Sequence, residues 1–353
     1  MGKQRIEFID AIKGLSILWV FLYHFKGVGY FIDWSWIDVK YRMSLFFFLS
    51  GIFFRIKPFK EFFLTRINTL IVPFLVFWFF GELYEFVKYD FISSFFRISF
   101  IGDYSFIEHI KSIVGVFELL PNLKAFGANI PIWFLFSLFL IQMFYYLNVK
   151  FIKNKYIILL IAISFHLLGY ILENKTNMEL SYQVKILKFY IYYVLGNIIG
   201  PNLLKYFEKK KTCLYLSFIC LPLLIGLSLI NDNFSKILFY CSFEIKFFSF
   251  FILIFIFFKN FSHYKLFNPL KFFGKHSLEI LVTHEIVLML WVDIKDNFVS
   301  INLFEGKLIY EIILFVILLV VEYFVILFLN RFFPRSIGRK PLFPIIKKNI
   351  QSS

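Results

Sequence analysis

Residues 5–25 read RIEFIDAIKGLSILWVFLYHF, a stretch that becomes apolar after Asp10 and places two ionisable side chains, Lys13 and His24, in the membrane. A run of this length crosses the roughly 30 Å hydrocarbon layer of a bilayer as one helix. Ionisable groups are costly in such a helix and normally face a cavity or a partner. Eleven residues turn an ideal helix through three turns plus about 20°, so Lys13 and His24 share one face about 16 Å apart along the axis. Asp10, three residues before Lys13, falls close to the same stripe and is placed to hold the lysine. No small-residue cleavage site follows, so the segment is expected to remain as the first transmembrane helix.

The whole chain repeats this character. Of its 353 residues 60% are hydrophobic and only 17% charged, with 55 Phe, 20 Tyr and 6 Trp. Soluble domains run near half apolar and a quarter charged, so a soluble globular protein is excluded. The net charge of +15 belongs to Lys and Arg gathered in cytoplasmic loops, and no nucleic-acid partner is expected. Cys213, Cys220 and Cys241 are not spaced as CxxC, so neither a disulfide framework nor a metal site follows.

At about 20 apolar residues per span, the sequence predicts an all-α, polytopic integral membrane protein with about ten transmembrane helices. They lie near 12–31, 36–55, 69–88, 131–149, 155–173, 186–204, 212–230, 236–258, 277–295 and 308–330. Loop charge places both termini in the cytoplasm: alternate connections carry clusters such as Arg55, Lys57, Lys60 and Arg66, or Lys209, Lys210 and Lys211, whereas the opposite ones are mixed or acidic. The second span is the shortest. Its purely apolar part, from Met43 to Phe54, rises only about 18 Å, so Asp38, Lys40 and Arg42 must sit at the outer interface. Residues 89–130 form a long outer connection, read either as a binding segment or as a plain surface loop. Residues 1–333 form the transmembrane domain and 334–353 a basic cytoplasmic tail broken by Pro334, Pro341 and Pro344. No internal repeat of the kind found in many transporters is present.

The first helix resembles that of the membrane acyltransferase 3 family, integral membrane carbohydrate O-acyltransferases whose opening helix carries a basic residue, ten intervening residues and a histidine. Lys13 and His24 match that pattern, and FIDAIKGLSILWV is especially similar to the fucose and exopolysaccharide O-acetyltransferase branch. Further similarities follow in order: FFFLSG ending at Ser50 and Gly51, RINTLIVPF from Arg66, PIWFLFSLF from Pro131, and GKHSLEILVTHE from Gly274 to Glu285. Two departures matter. A lysine stands at position 13, where many members have arginine, and Thr69 occupies the second position of an Arg-x-x-Arg motif, leaving Arg66 alone.

The resemblance implies an acyl-CoA donor, most simply acetyl-CoA, whose phosphates lie near Lys13 and Arg66, with no bound cofactor. It implies a glycan or lipid-linked sugar as acceptor, in the inner membrane. His24 would act as general base, since imidazole titrates near neutral pH, or would itself carry the acyl group. Ser50 and Trp133 are candidate supporting or acceptor-binding residues, with helix packing and interfacial anchoring as their ordinary roles. On the ninth span His284 matches the family pattern. Glu285 diverges from it by about 100° and is not assigned chemistry. The competing class is a transporter or flippase for lipid-linked glycans, and a third possibility is an inactive scaffold of the same fold.

Overall fold

The computed structural model describes residues 6–25, 41–92, 129–176, 182–228, 236–298 and 308–344. Most of the long outer connection, residues 93–128, lies outside them. Among the described residues there is no strand, as expected where backbone groups in hydrocarbon must pair within their own segment. In chain order the helices are α1 (Glu7–Phe25), α2 (Arg42–Ile52), α3 (Phe59–Arg66), α4 (Val72–Phe86), α5 (Trp133–Phe151), α6 (Lys155–Thr176), α7 (Tyr182–Tyr206), α8 (Lys210–Ser228), α9 (Lys236–Phe261), α10 (Asn268–Lys275), α11 (Ser277–Phe298) and α12 (Leu308–Phe332).

Among the described residues, five stretches are long and apolar enough to cross a membrane by length and composition: Glu7–Phe25, Phe59–Tyr89, Ile130–Phe151, Lys155–Glu173 and Ile309–Phe332. The 11-residue α2 rises only about 16 Å. It falls short of the hydrocarbon thickness because its apolar run is brief and begins beside the charge of Arg42.

The chain forms two compact units. The first comprises Met1–Val20, Val39–Phe53 and Leu195–Ser277. Within it α1 meets α10 at two glycines: a methyl group on Gly14 would strike the carbonyl of Leu270, and one on Gly274 the carbonyl of Asp10. Small residues let the two backbones touch there. The Ser16 hydroxyl donates to the Arg42 carbonyl at 2.8 Å, which ties α1 to the start of α2. Phe48 meets Phe251 edge-on with ring centroids 4.3 Å apart, Phe251 packs tilted against Phe255 at 4.2 Å, and Phe8 meets Phe255 edge-on. The Phe runs of α2 and α9 thus serve as packing surface.

The second unit comprises Phe21–Asp38, Phe54–Val194 and Leu278–Ser353. Its organising irregularity is a π-helical turn at Ile67–Ile71 between α3 and α4. Pro73 has no N–H to offer Thr69 and its ring crowds that carbonyl. The helix widens just before it, and the Val72 N–H bonds the Ile67 carbonyl instead. At this turn the Asn68 amide donates to the carbonyls of Leu64 and Phe343, both at 2.9 Å, while its oxygen accepts from the N–H groups of Leu342 and Phe343, both at 2.8 Å.

That exchange fastens the chain beyond α12 onto the turn. Gly338 sits against Asn68 and Thr69 with φ of 68°, a conformation suited to a residue without Cβ. One residue later, Arg339 sends two N–H groups to a single oxygen of Glu279, at 2.6 and 2.9 Å, and Asn330 adds a third donor. Glu279 is only 1% exposed and Arg339 34%. Replacing Arg339 with Met leaves a buried carboxylate short of donors and is expected to destabilise the protein by about 2–3 kcal/mol, below the loss for a fully buried pair because the arginine is partly solvated. Thermal unfolding in detergent micelles checks this. The double change Arg339→Met with Glu279→Leu should recover most of the loss, and an unchanged midpoint in the single variant would refute the assignment.

Candidate active site

His24 is the penultimate residue of α1, and its side chain reaches α11. Its Nδ1 lies 2.9 Å from Oε2 of Glu285, with side-chain exposures of 22% and 18%. The His284 ring meets the His24 ring edge to face, with centroids 5.1 Å apart. Phe21, one turn earlier on α1, packs against His284, and Phe21 and Phe25 both pack edge-on against Phe315 of α12. Three aromatic rings therefore wall one side of the cluster.

The partners indicate which nitrogen of each ring carries hydrogen. His24 Nδ1 meets Glu285 Oε2 at 2.9 Å as an ion-pair contact rather than an aligned hydrogen bond, that oxygen having no hydrogen-bond partner among the described residues. A carboxylate only accepts, so the contact favours hydrogen on Nδ1 and a lone pair on Nε2. His284 places Nδ1 2.7 Å from the carbonyl of Ile280, so its Nε2 also keeps the lone pair. That atom is buried and has no hydrogen-bond partner among the described residues. A histidine held by a carboxylate through Nδ1, with Nε2 open, is the arrangement that lets imidazole take a proton from a nucleophile.

Glu285 is the residue that sequence reasoning set aside. Adjacent helical residues diverge by about 100°, yet His24 reaches both, its Nδ1 2.9 Å from Glu285 and its ring centroid 5.1 Å from that of His284. A signal was present: a histidine in an apolar helix needs a partner, and Glu285 is a carboxylate within a motif already singled out. Lys13 is half-buried, with Nζ 5.4 Å over the Phe53 ring. Asp10 is half-buried one turn before it, at the glycine crossing. Ser50 lies near the end of α2, half-buried, and its neighbour Gly51 accepts from the Asn197 amide at 3.2 Å. Trp133 starts α5, 8% exposed; its ring stacks on Phe189 and lies under Lys185, whose Nζ is 5.1 Å from the centroid.

Arg66 ends α3 immediately before the π turn. Its guanidinium lies 5.0 Å over the Phe62 ring, and its buried Nε has no hydrogen-bond partner among the described residues. A stacked guanidinium with an unused N–H is suited to an anion.

One ligand atom from each of His24, His284 and Glu285 lies within 4.8 Å of the others. Two imidazoles and a carboxylate are also donor types that a divalent ion uses. The 2.9 Å contact between His24 and Glu285 engages those two groups with each other, the geometry of an acid–base pair.

An all-helical membrane chain whose first apolar helix presents a carboxylate-held histidine is equipped for proton transfer at a nucleophile. A family model described as an acyltransferase domain, Acyl_transf_3, matches residues 6–334. The chain belongs to the membrane acyltransferase 3 family, and it is a membrane acyltransferase. No curated protein and no solved structure gives a significant match to it.

Proposed function

We propose that the protein transfers an acyl group, most simply acetyl, from acyl-CoA to a sugar hydroxyl of a cell-envelope polysaccharide or its lipid-linked precursor, at the inner membrane. The observation that carries this reading is the contact of His24 with Glu285. It leaves one imidazole nitrogen open beside a second histidine whose open nitrogen is buried. Acyl-CoA enters from the cytoplasm, in the ten-helix topology with both termini inside, and Arg66 and Lys13 each offer a cation to its phosphates.

His24 Nε2 takes the proton of the acceptor hydroxyl as the oxygen attacks the thioester carbonyl. The new C–O bond forms, and the tetrahedral intermediate collapses with cleavage of the C–S bond. The imidazolium then returns its proton to the departing thiolate, so free CoA and the ester leave and His24 is neutral again. Glu285 stabilises the transient imidazolium and holds the tautomer that can accept. Neither a metal ion nor a covalent acyl-enzyme is used in this sequence.

The test is release of free CoA from acetyl-CoA by the purified protein with a mixture of envelope glycans. Release should depend on the glycan and survive a chelator. Arg66→Ala and Lys13→Ala should each raise the KM for acetyl-CoA several-fold with a smaller change in kcat, as expected for lost binding shared by ground and transition states. Thioester consumption that ignores the glycan, or is abolished by the chelator and restored by zinc, would overturn the mechanism.

A further inference from the structure

We propose that the acceptor is a vicinal diol: His24 takes the proton of the hydroxyl that is acylated, while His284 accepts a hydrogen bond from the hydroxyl on the neighbouring carbon. The proposal deepens the reading above and rests on it. Its basis is the donor and acceptor count of the cluster. His284 spends its Nδ1 hydrogen on the Ile280 carbonyl at 2.7 Å, so what it offers the site is a lone pair. That Nε2 has no partner among the described residues, on a side chain with no exposure at all. A buried polar atom without a partner is costly, and in native proteins it calls for a specific explanation.

With its Nδ1 turned to Glu285 at 2.9 Å, His24 likewise keeps a lone pair on Nε2. The two acceptors therefore sit on neighbouring rings whose centroids are 5.1 Å apart. The complementary ligand brings two donors at close spacing. A single hydroxyl has one hydrogen and satisfies one nitrogen only. A thioester carbonyl, or the oxyanion formed from it, brings none, so neutral His284 in this tautomer is no oxyanion donor. Two hydroxyls on adjacent carbons supply both hydrogens to two neighbouring rings. An amine with two N–H groups would match the count, but a neutral amine attacks a thioester without prior deprotonation. A carboxylate-held histidine is machinery for the far less acidic and less nucleophilic hydroxyl.

The pairing confers specificity as well as affinity. A site built to hydrogen-bond a hydroxyl rejects the analogue lacking it, because its polar group is then left buried and unpaired. His284 is thus assigned the second hydroxyl, and His24 the reacting one.

Histidine-selective 15N NMR of the full-length protein in detergent micelles reads both nitrogens directly, with the resonances assigned from His24→Ala and His284→Phe. The probes are cyclohexane-1,2-diol, as cis and trans isomers, cyclohexanol and cyclohexylamine. At least one diol isomer should move the Nε2 resonances of both His24 and His284, whereas cyclohexanol should move that of His24 alone. With acetyl-CoA present, kcat/KM for that diol should exceed that for cyclohexanol by about tenfold or more. In His284→Phe that ratio should fall toward one, whatever the change in absolute rate. The proposal is overturned if both diols leave the His284 Nε2 resonance in place, if the ratio persists in His284→Phe, or if cyclohexylamine is acetylated faster than either diol. Should a diol move both resonances while no probe is acetylated, the diol site stands and the acyl-transfer reading fails.

Discussion

His24→Ala is expected to lower kcat for acyl transfer by about three to four orders of magnitude, the upper part of the range for a positioned general base, equivalent to about 4–5.5 kcal/mol of barrier. The substitution also removes the partner of Glu285 and empties space beside the His284 ring. A structural loss would therefore mimic a chemical one. His24→Gln separates them: its amide can still donate to Glu285, but it has no nitrogen lone pair with which to take a proton. If the histidine is the base, both variants lose activity to a similar degree while the glutamine variant melts near wild type. Recovery of turnover in His24→Gln would show that the histidine only fills and orders the site.

The second large effect is expected at Glu285. Glu285→Gln preserves shape but supplies an N–H to His24, whose Nδ1 is then drawn to accept and whose hydrogen moves to Nε2. The base is left in the wrong tautomer, and kcat should fall by about two to four orders of magnitude. The KM for acetyl-CoA should change little, in contrast to Arg66→Ala, because the change acts on the proton and not on the phosphates. Glu285→Asp keeps the acceptor on a shorter stem and should fall between the two. A Glu285→Gln protein with wild-type kcat would remove the carboxylate from the mechanism.

These residues also mark how far the sequence could be read. His24 was legible because an imidazole in an apolar helix is anomalous in itself, and the all-helical class followed from apolar runs that leave no other way to satisfy a backbone. His284 came from the similarity of its segment to the family pattern. Glu285 was missed because the direction of one side chain on α11 matters only relative to where α1 passes, and that register is a tertiary fact. Asn68 and Arg339 were illegible for a related reason. An asparagine in an apolar run and an arginine in a basic tail have ordinary local explanations, and only the fold shows the first gripping the backbone at Leu342 and Phe343 and the second neutralising Glu279. The π turn at Ile67–Ile71 was not read either: residues 69–88 read as one unbroken span, although Pro73 stands within it.

The clasp between Arg339 and Glu279 bears on the order in which a ribosome can complete this protein. Glu279 lies in the first turn of α11, six residues before Glu285, yet the guanidinium that neutralises it is translated 60 residues later. The backbone groups that engage Asn68 arrive later still, 274 residues after their partner. The helix that carries two of the three clustered residues, His284 and Glu285, is thus made with an uncompensated carboxylate in its first turn, and its anchorage forms only when the last described residues emerge. Activity should therefore appear late in synthesis, and a nascent chain arrested before Arg339 would hold every residue of the cluster without the fastening that secures it.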